Sequence, residues 1–258
     1  GCGVPKARVA LLTLACVCAS LPGVAAANQS ARLRVGLRPE RLGRGSTIVF
    51  AFRLSSPTST GAPSPLRDID LSYPGTLGFA TSGLGLENCS VSTLQRAGPG
   101  GCPVDSRVGY GSAVVEVPFG SRVIAERATI DTFMAPLREG QLSLLYYARG
   151  TSPLLAQLVF PAALSPGPTR GNLDTSLPVV PTLPAAPDAA VVALTSTIGP
   201  AHILYHRNSH GHVVSYRPRG LMLPRVCPRG GFRFAADFAF DDGSHTSAEA
   251  TVPCPRGS

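Results

Sequence analysis

The sequence predicts an all-β protein, a large β-sandwich stapled by disulfides, with little helix. Its apolar stretches are short, alternate with polar residues and are rich in Val, Ile, Phe, Tyr and Thr, which is typical of strands. These stretches begin and end near Gly, Pro or Asp, which are common in turns. Charged residues make up only 15% of the chain, against about 25% in ordinary globular proteins, which argues against a coiled coil or a charged helical bundle.

The N-terminal segment has the pattern of a secretory signal peptide. Two basic residues, Lys6 and Arg8, precede an apolar run that reaches Leu21, and three consecutive alanines then offer a cleavage site;. We therefore expect residues 1–27 to be removed and the mature chain 28–258 to be exported. The apolar run is too short to span a bilayer comfortably, which argues against a retained anchor. No second apolar segment of spanning length follows, so no membrane span is expected after cleavage;.

Four of the seven cysteines belong to the mature chain: Cys89, Cys102, Cys227 and Cys254. An even number of cysteines in an exported chain predicts two disulfides. A zinc site is the alternative, but no C-x2-C spacing is present. Closing two short loops costs less chain entropy than closing loops of about 140 residues. We therefore predict the pairs Cys89–Cys102 and Cys227–Cys254.

The predicted strands follow one another at near-regular spacing through the mature chain. A further strand contains Asp68 and Asp70, and residues 241–243 predict a hairpin turn. About twelve strands in one mature chain favour an immunoglobulin-like or jelly-roll-like sandwich. The other predicted strands are residues 32–37, 47–54, 106–117, 128–134, 141–148, 154–160, 190–197, 202–206, 212–216, 232–240 and 245–252.

Two proline-containing segments interrupt this pattern. Residues 55–65 form a polar insertion, whereas residues 165–188 contain six prolines and predict edge strands or a connector;. The second segment is a candidate boundary between two sandwiches. Because the part after it would have only 70 residues, we expect a single domain over residues 28–258, with the split near 165–188 as the alternative.

The mature chain is basic, and ten of its arginines form two clusters along the sequence. The whole chain has 23 Lys and Arg against 15 Asp and Glu, a formal net charge of +8, which favours anionic partners. Aromatic residues interleave with the second cluster, as in single-stranded nucleic-acid platforms, but an exported protein rarely meets such ligands, so no nucleic acid is expected. Solvated turn arginines are the alternative to a binding patch. The clusters are Arg32, Arg34, Arg38, Arg41 and Arg44, and Arg217, Arg219, Arg225, Arg229 and Arg233.

Four of the five histidines lie within residues 202–212. A hairpin turning at residues 207–211 would bring His206, His210 and His212 close enough to bind a divalent ion. Their spacing matches no established zinc pattern, and an exposed hairpin face explains the tract equally well. The sequence therefore predicts no metal and no other cofactor, and these three histidines are only candidates.

No sequence pattern of an active site is present. Phosphate-binding G-x-G-x-x-G and Walker loops are absent, as is the G-x-S-x-G nucleophile elbow. Asp68 and Asp70 share one face of their predicted strand, which is the nearest approach to the paired carboxylates of glycoside hydrolysis. Glu116, Glu126 and Asp131 lie near strand ends.

Two cysteine-containing motifs carry a resemblance. The first is Gly101-Cys102-Pro103 with Ser106, Gly109 and Gly111 after it. The second runs from Cys227-Pro228 through Gly230-Gly231-Phe232, Phe240 and Asp242-Gly243 to Cys254-Pro255. Together they resemble a group of uncharacterised secreted proteins of high-GC actinobacteria. The resemblance implies export and a β-rich fold, and it implies no activity and no site residue.

These observations predict a secreted or cell-envelope-associated, non-enzymatic protein with a binding or structural role. An anionic envelope polymer or a carbohydrate is the partner that the charge and compartment suggest. The alternative is an extracellular hydrolase or carbohydrate-active enzyme whose site is assembled only in three dimensions. A deep pocket lined by acids with perturbed pKa values would favour that alternative.

Overall fold

A computed structural model describes residues 1, 29–57, 62–79, 84–85, 87–119, 122–152, 155–182, 188–217 and 219–255. The predicted signal peptide, apart from its first residue, lies outside these described residues. Strands make up 57% of the structure and helix 7%. The predicted all-β class with little helix is therefore confirmed.

The described residues contain fourteen strands. They are β1 (Ser30–Arg38), β2 (Gly45–Ser55), β3 (Leu66–Pro74), β4 (Arg107–Phe119), β5 (Arg122–Met134), β6 (Ser143–Gly150), β7 (Ala156–Ser165), β8 (Arg170–Ser176), β9 (Ala190–Ile198), β10 (Tyr205–Ser209), β11 (His212–Tyr216), β12 (Leu221–Met222), β13 (Phe232–Phe240) and β14 (His245–Val252).

A short helix that the sequence analysis missed precedes β4. This helix, α1 (Val91–Ala97), begins after Ser90, whose hydroxyl oxygen accepts a hydrogen bond from the Thr93 amide at 3.1 Å. Leu94 is its buried residue. Seven residues make about two helical turns, so one buried position leaves too little periodicity to detect.

Eleven strands form one antiparallel sheet in the order β1-β2-β9-β4-β5-β6-β7-β8-β3-β13-β14, and β12 pairs with β2. The sheet curls until it is nearly closed, so that its edge strands β1 and β14 lie beside each other. Curling protects both edges from pairing with other chains. The predicted sandwich therefore does not consist of two separate sheets: its two walls are opposite parts of one curled sheet. In the described part of the chain, β10 and β11 form the other, two-stranded sheet.

The main core lies inside the curled sheet. On β13, Phe234 and Phe238 are 2% and 1% exposed, whereas Arg233 and Asp237, the residues directly before each of them, face solvent. The Phe238 ring contacts Phe52 of β2 edge to face, with 5.0 Å between centroids. Burying each such ring stabilises the fold by roughly 1.5–3 kcal/mol. The alternation seen in the sequence therefore does separate core from surface.

The proline-rich segment 165–188 contains an interior strand, so its interpretation as edge strands or a connector was wrong for β8. This strand lies between β7 and β3. Pro166, Pro168 and Pro178 fall outside it, which leaves its backbone N–H groups free to pair on both sides. The next strand, β9, lies between β2 and β4. Residues on both sides of the segment thus belong to the same sheet.

Both predicted disulfide pairs are present in the described residues. Cys89 and Cys102 join the two sides of α1, with 5.3 Å between their Cα atoms. Cys227 and Cys254 join the segment before β13 to the end of β14, with 5.9 Å between their Cα atoms. Disulfides are typical of an oxidising, extracellular environment. None of the described helices has the length and apolar character needed to cross a membrane.

Candidate functional site

The antiparallel order sorts the connections between strands onto two ends of the curled sheet. One end, here called the loop end, receives the two longest connections between strands of this sheet, residues 75–106 and 199–231, together with residues 39–44. The opposite end includes the tight β13–β14 turn at residues 241–244. Binding residues lie more often on long connections held by a rigid scaffold. The loop end is therefore the first place to look for a site.

A depression of about 710 Å³ at the loop end is lined by five arginines, and we name it the arginine cleft. Arg38 ends β1, and Arg41 and Arg44 follow in the β1–β2 connection. Arg217 and Arg219 come from the connection after β11. The other described residues of the lining are Pro39, Gly45, Thr47, Pro200 and Ala201, none of which is acidic.

Close backbone packing holds the two sides of the arginine cleft together. A Cβ atom on Gly45 would lie 1.9 Å from the Arg219 carbonyl oxygen, so only glycine lets this connection lie against the start of β2. β12 then pairs with the same end of β2. On the other side, the Thr47 hydroxyl accepts a hydrogen bond from the Ala201 amide at 3.0 Å. Arginines far apart in sequence are thus fixed side by side.

Among the described residues, no carboxylate forms an ion pair with an arginine of the cleft, although Glu40 lies in the same β1–β2 connection. All five arginines are exposed, and in the described residues none of them forms an ion pair; the pairs present there are Arg67–Asp241 at 2.6 Å and Arg107–Asp131. Residues 189–236 contain no Asp or Glu, but six Arg and four His. Guanidinium groups brought together in this way repel one another unless an anion lies between them. The cleft is therefore suited to an anionic ligand.

The second arginine cluster of the sequence, which was a candidate binding patch, does not stay together in the structure. Arg217 and Arg219 join the arginine cleft. Arg229 and Arg233 line a separate depression of about 550 Å³, also at the loop end, together with Arg170. Arg225 lies beside the β1–β2 connection, with its Cγ atom 3.4 Å from a Cβ built on Gly43. Of the first cluster, Arg32 and Arg34 lie along the exposed face of β1.

The structure does not bring the three candidate metal ligands together. His206 pairs with Ser215 and His212 with Ser209. Because successive residues of a strand face opposite sides, His206 and His212 lie on opposite faces of the β10–β11 hairpin. His210 occupies its turn. Among the described His, Cys, Asp and Glu residues, no group of three is arranged to hold a metal ion.

The bounds predicted for the strand at residues 202–206 and for the turn at residues 207–211 were both wrong. β10 begins at Tyr205, because His202 lies in a turn with a positive φ of 60°. The hairpin turn is only two residues long, His210 and Gly211, with φ values of 52° and 82°. Two such residues in succession are typical of a type I′ turn, which fits the twist of a hairpin.

The predicted pair Asp68 and Asp70 lies on an outer face of the sheet, beside an open depression of about 600 Å³. The register places Asp70 directly between Asp174 of β8 and Asp237 of β13. Burial, and then the negative charges of Asp174 and Asp237, raise the pKa of Asp70. The shared face of Asp68 and Asp70 could be predicted from the two-residue period. Their cross-strand partners could not, because pairing depends on tertiary register.

Comparison of the chain with protein-family models, with curated proteins and with solved structures gave no match. Function is therefore inferred from the geometry and charge of the molecule. Arg170 is a loop-end residue that the sequence did not indicate, since it stands alone in the chain and joins Arg229 and Arg233 only in space.

Proposed function

We propose that this protein is an exported, non-enzymatic binding protein that holds an anionic polymer of the cell envelope in the arginine cleft. The observation that carries the proposal is the convergence of five exposed arginines, from two distant parts of the chain, on a lining whose described residues include no carboxylate. Arginines that lack a carboxylate partner within the protein gain favourable electrostatic energy when an anionic ligand binds.

The chemistry of the guanidinium group supports a polymer with phosphate or carboxylate groups. Each guanidinium offers parallel N–H donors that match two oxygens of either anion. Five separate positive charges along an open depression are best matched by several anionic groups on one chain. Binding the first group then brings the others to a high effective concentration.

The location in this proposal depends on the sequence and on the disulfides. Residues 1–27 have the pattern of a signal peptide;, and the pairs Cys89–Cys102 and Cys227–Cys254 fit an oxidising compartment;. The resemblance to secreted actinobacterial proteins agrees with export. Polyanions of the cell surface are the anionic chains that an exported protein meets.

The test compares two variants with the same loss of charge. Arg217→Gln/Arg219→Gln removes two cleft arginines, whereas Arg122→Gln/Arg127→Gln removes two exposed arginines on β5, outside the cleft. Binding to poly(glycerol phosphate), poly-glutamate and neutral dextran is measured at several salt concentrations. We expect binding to at least one polyanion and none to dextran. The cleft variant should weaken binding about ten-fold, or about 1.4 kcal/mol, and lower the salt slope by about 1–2.

The matched control separates a site from a general effect of net charge. The β5 variant should change the dissociation constant by less than about two-fold, as expected for charges beyond roughly one Debye length. Equal weakening by the two variants would show that the cleft is not the site. Absence of binding to both polyanions by the unsubstituted protein would refute the proposed function. The preferred polymer identifies the anionic group.

A second candidate function, an extracellular hydrolase, is favoured by one observation: the raised pKa of Asp70 beside Asp174. A carboxyl group whose pKa is raised beside a second carboxylate is a candidate for the general acid of glycoside hydrolysis. The test is release of reducing sugar from envelope polysaccharides by the purified protein. Activity that Asp70→Asn abolishes would favour the hydrolase, and activity unchanged by Asp70→Asn and Asp174→Asn would exclude this site.

A further inference from the structure

A second depression at the loop end is smaller and has a different construction from the arginine cleft. Its volume is about 550 Å³, and we name it the three-arginine pocket. Thr169, from the β7–β8 turn, and Arg170, the first residue of β8, line one side. Arg229, from the segment that leads into β13, and Arg233, near the start of β13, line the other. The remaining lining residues, Pro74, Pro228, Gly230 and Gly231, carry no charge.

The first wall of the pocket is fixed by the end of β3. The Gly75 amide donates a hydrogen bond to the Thr169 carbonyl oxygen at 3.0 Å. A Cβ atom on Gly75 would lie 2.2 Å from the Gly167 carbonyl oxygen, so the β7–β8 turn lies directly against the chain that leaves β3. Arg170 itself is the first residue of β8, opposite Pro74 in the register.

The second wall is fixed by a disulfide and by a tight glycine turn. Cys227 is bonded to Cys254, just beyond the end of β14. Gly231 has a φ of 87°, and a Cβ atom on it would lie 2.6 Å from the Val252 carbonyl oxygen. The connection therefore packs against β14 at two points. Walls fixed in this way lose little conformational entropy when a ligand binds.

The three guanidinium groups are available to a ligand. Arg170, Arg229 and Arg233 are exposed, and in the part of the chain that the structure describes no ion pair or side-chain hydrogen bond involves their guanidinium groups. The Arg233 guanidinium lies over the backbone of Gly230, 3.1 Å from the position of a Cβ atom there. Arg170 acts electrostatically on Asp70, which lies outside the pocket lining.

We propose that the three-arginine pocket is a separate site for one phosphate monoester group. A phosphate monoester has three terminal oxygens and a charge of about −1.5 to −2 near neutral pH, whereas a phosphodiester offers only two such oxygens and one charge. Three guanidiniums on two fixed walls match the monoester in both charge and donors, and Thr169 also lines the pocket. This inference does not depend on the polymer proposed for the arginine cleft.

The experiment measures binding of glycerol 3-phosphate, a monoester, and dimethyl phosphate, a diester, to the folded protein by isothermal titration. We expect one monoester per chain, bound at least about ten-fold more tightly than the diester. Arg229→Gln/Arg233→Gln should weaken monoester binding about ten-fold, and Arg217→Gln/Arg219→Gln should change it by less than about two-fold. Loss in the second variant but not in the first would assign the phosphate to the arginine cleft instead.

A charge-conserving variant tests the geometry of recognition. Arg229→Lys/Arg233→Lys keeps both charges but loses the paired donors, so monoester binding should fall at least about three-fold and the preference over the diester should narrow. An unchanged preference in this variant, or no saturable monoester binding by the unsubstituted protein, would overturn the proposal. All the substituted side chains are exposed, so we expect each variant to fold. The melting temperature of each variant checks that its fold is intact.

Vesicles distinguish a lipid headgroup from a soluble ester as the source of the phosphate. Phosphatidic acid presents a monoester at the membrane surface, whereas phosphatidylglycerol presents a diester of the same lipid class. Binding to phosphatidic acid vesicles that glycerol 3-phosphate displaces, and that Arg229→Gln/Arg233→Gln removes, supports the site and identifies a lipid source. Binding of the soluble ester alone supports the site with a soluble or polymer-terminal source. Equal binding to both kinds of vesicle would contradict monoester recognition.

Discussion

Replacing Asp70 by Asn should stabilise this protein at neutral pH. Asp70 lies on β3 directly opposite Asp174 on one side and Asp237 on the other. Burial first, and then these two charges, raise its pKa, and the carboxyl group of Asp174 lies within hydrogen-bond reach. The folded chain therefore disfavours ionised Asp70 more than the unfolded chain does. Asparagine keeps the shape of the side chain and removes its charge.

The magnitude follows from the number of like-charged neighbours. A like-charged pair directly opposite in a sheet destabilises by roughly 0.2–1 kcal/mol. Asp70 belongs to two such pairs, so removal of its charge should raise the free energy of unfolding by about 0.4–2 kcal/mol. Because Asp174 and Asp237 are exposed, solvent screening favours the lower half of this range, about 1 kcal/mol. A chain of this size should then melt about 2–4 °C higher.

The pH dependence has a definite sign. A carboxyl group with a raised pKa binds more protons in the folded state than in the unfolded state, so stability falls as the pH rises through the folded pKa. Asparagine removes this loss. The stabilisation by Asp70→Asn should therefore be present at neutral pH and vanish below the ordinary carboxyl pKa of 3.8. High salt should reduce it by screening.

The assay is urea unfolding with the disulfides intact, at neutral pH and at about pH 3. Asp68→Asn is the matched control on the same strand, because Asp68 has Ser176 and Ala239 opposite it and accepts a hydrogen bond from the Ser176 hydroxyl at 2.5 Å. This control should be neutral or destabilising. If Asp70→Asn destabilises the protein, or stabilises it equally at both pH values, the reasoning from the three carboxylates is refuted.

Three further predictions concern the stability of the fold. Replacing Cys227 and Cys254 by Ser opens a loop with a sequence separation of 27 and should cost about 3–4 kcal/mol in urea unfolding; a loss below about 1 kcal/mol would contradict the chain-entropy estimate. Although burial alone would raise the pKa of Asp242, hydrogen bonds from the Ser244 hydroxyl and amide lower it. Asp242→Ala should therefore destabilise the protein by roughly 1 kcal/mol at neutral pH. This loss should become smaller as the pH falls through the pKa of Asp242 in the folded state. Tyr205 is fully buried, and its hydroxyl donates a hydrogen bond to the Arg107 carbonyl oxygen at 2.6 Å. Tyr205→Phe should therefore lower the free energy of unfolding by about 1–3 kcal/mol and speed amide exchange in the β10–β11 hairpin. Unchanged exchange would show that the hydroxyl does not anchor this hairpin.

The sequence by itself determined the local features of this protein. The two-residue period fixed which side chains of a strand share a face, as for Asp68 and Asp70. Asp-Gly between two apolar runs indicated the β13–β14 turn, and the short loops closed by Cys89–Cys102 and Cys227–Cys254 indicated the pairing. Each of these depends on residues close together in the chain, where propensity and loop-closure entropy act directly.

Only the tertiary structure decided which strands are neighbours, and with that the composition of the site. Arg38 and Arg217 belong to different clusters of the sequence, but β9, β12 and the start of β2 bring them to one cleft. The same register placed Asp174 beside Asp70 and Arg170 beside the three-arginine pocket. Strand order depends on how all apolar faces are buried together and how the sheet edges are closed. That is a property of the whole chain, which the period of a single strand does not contain.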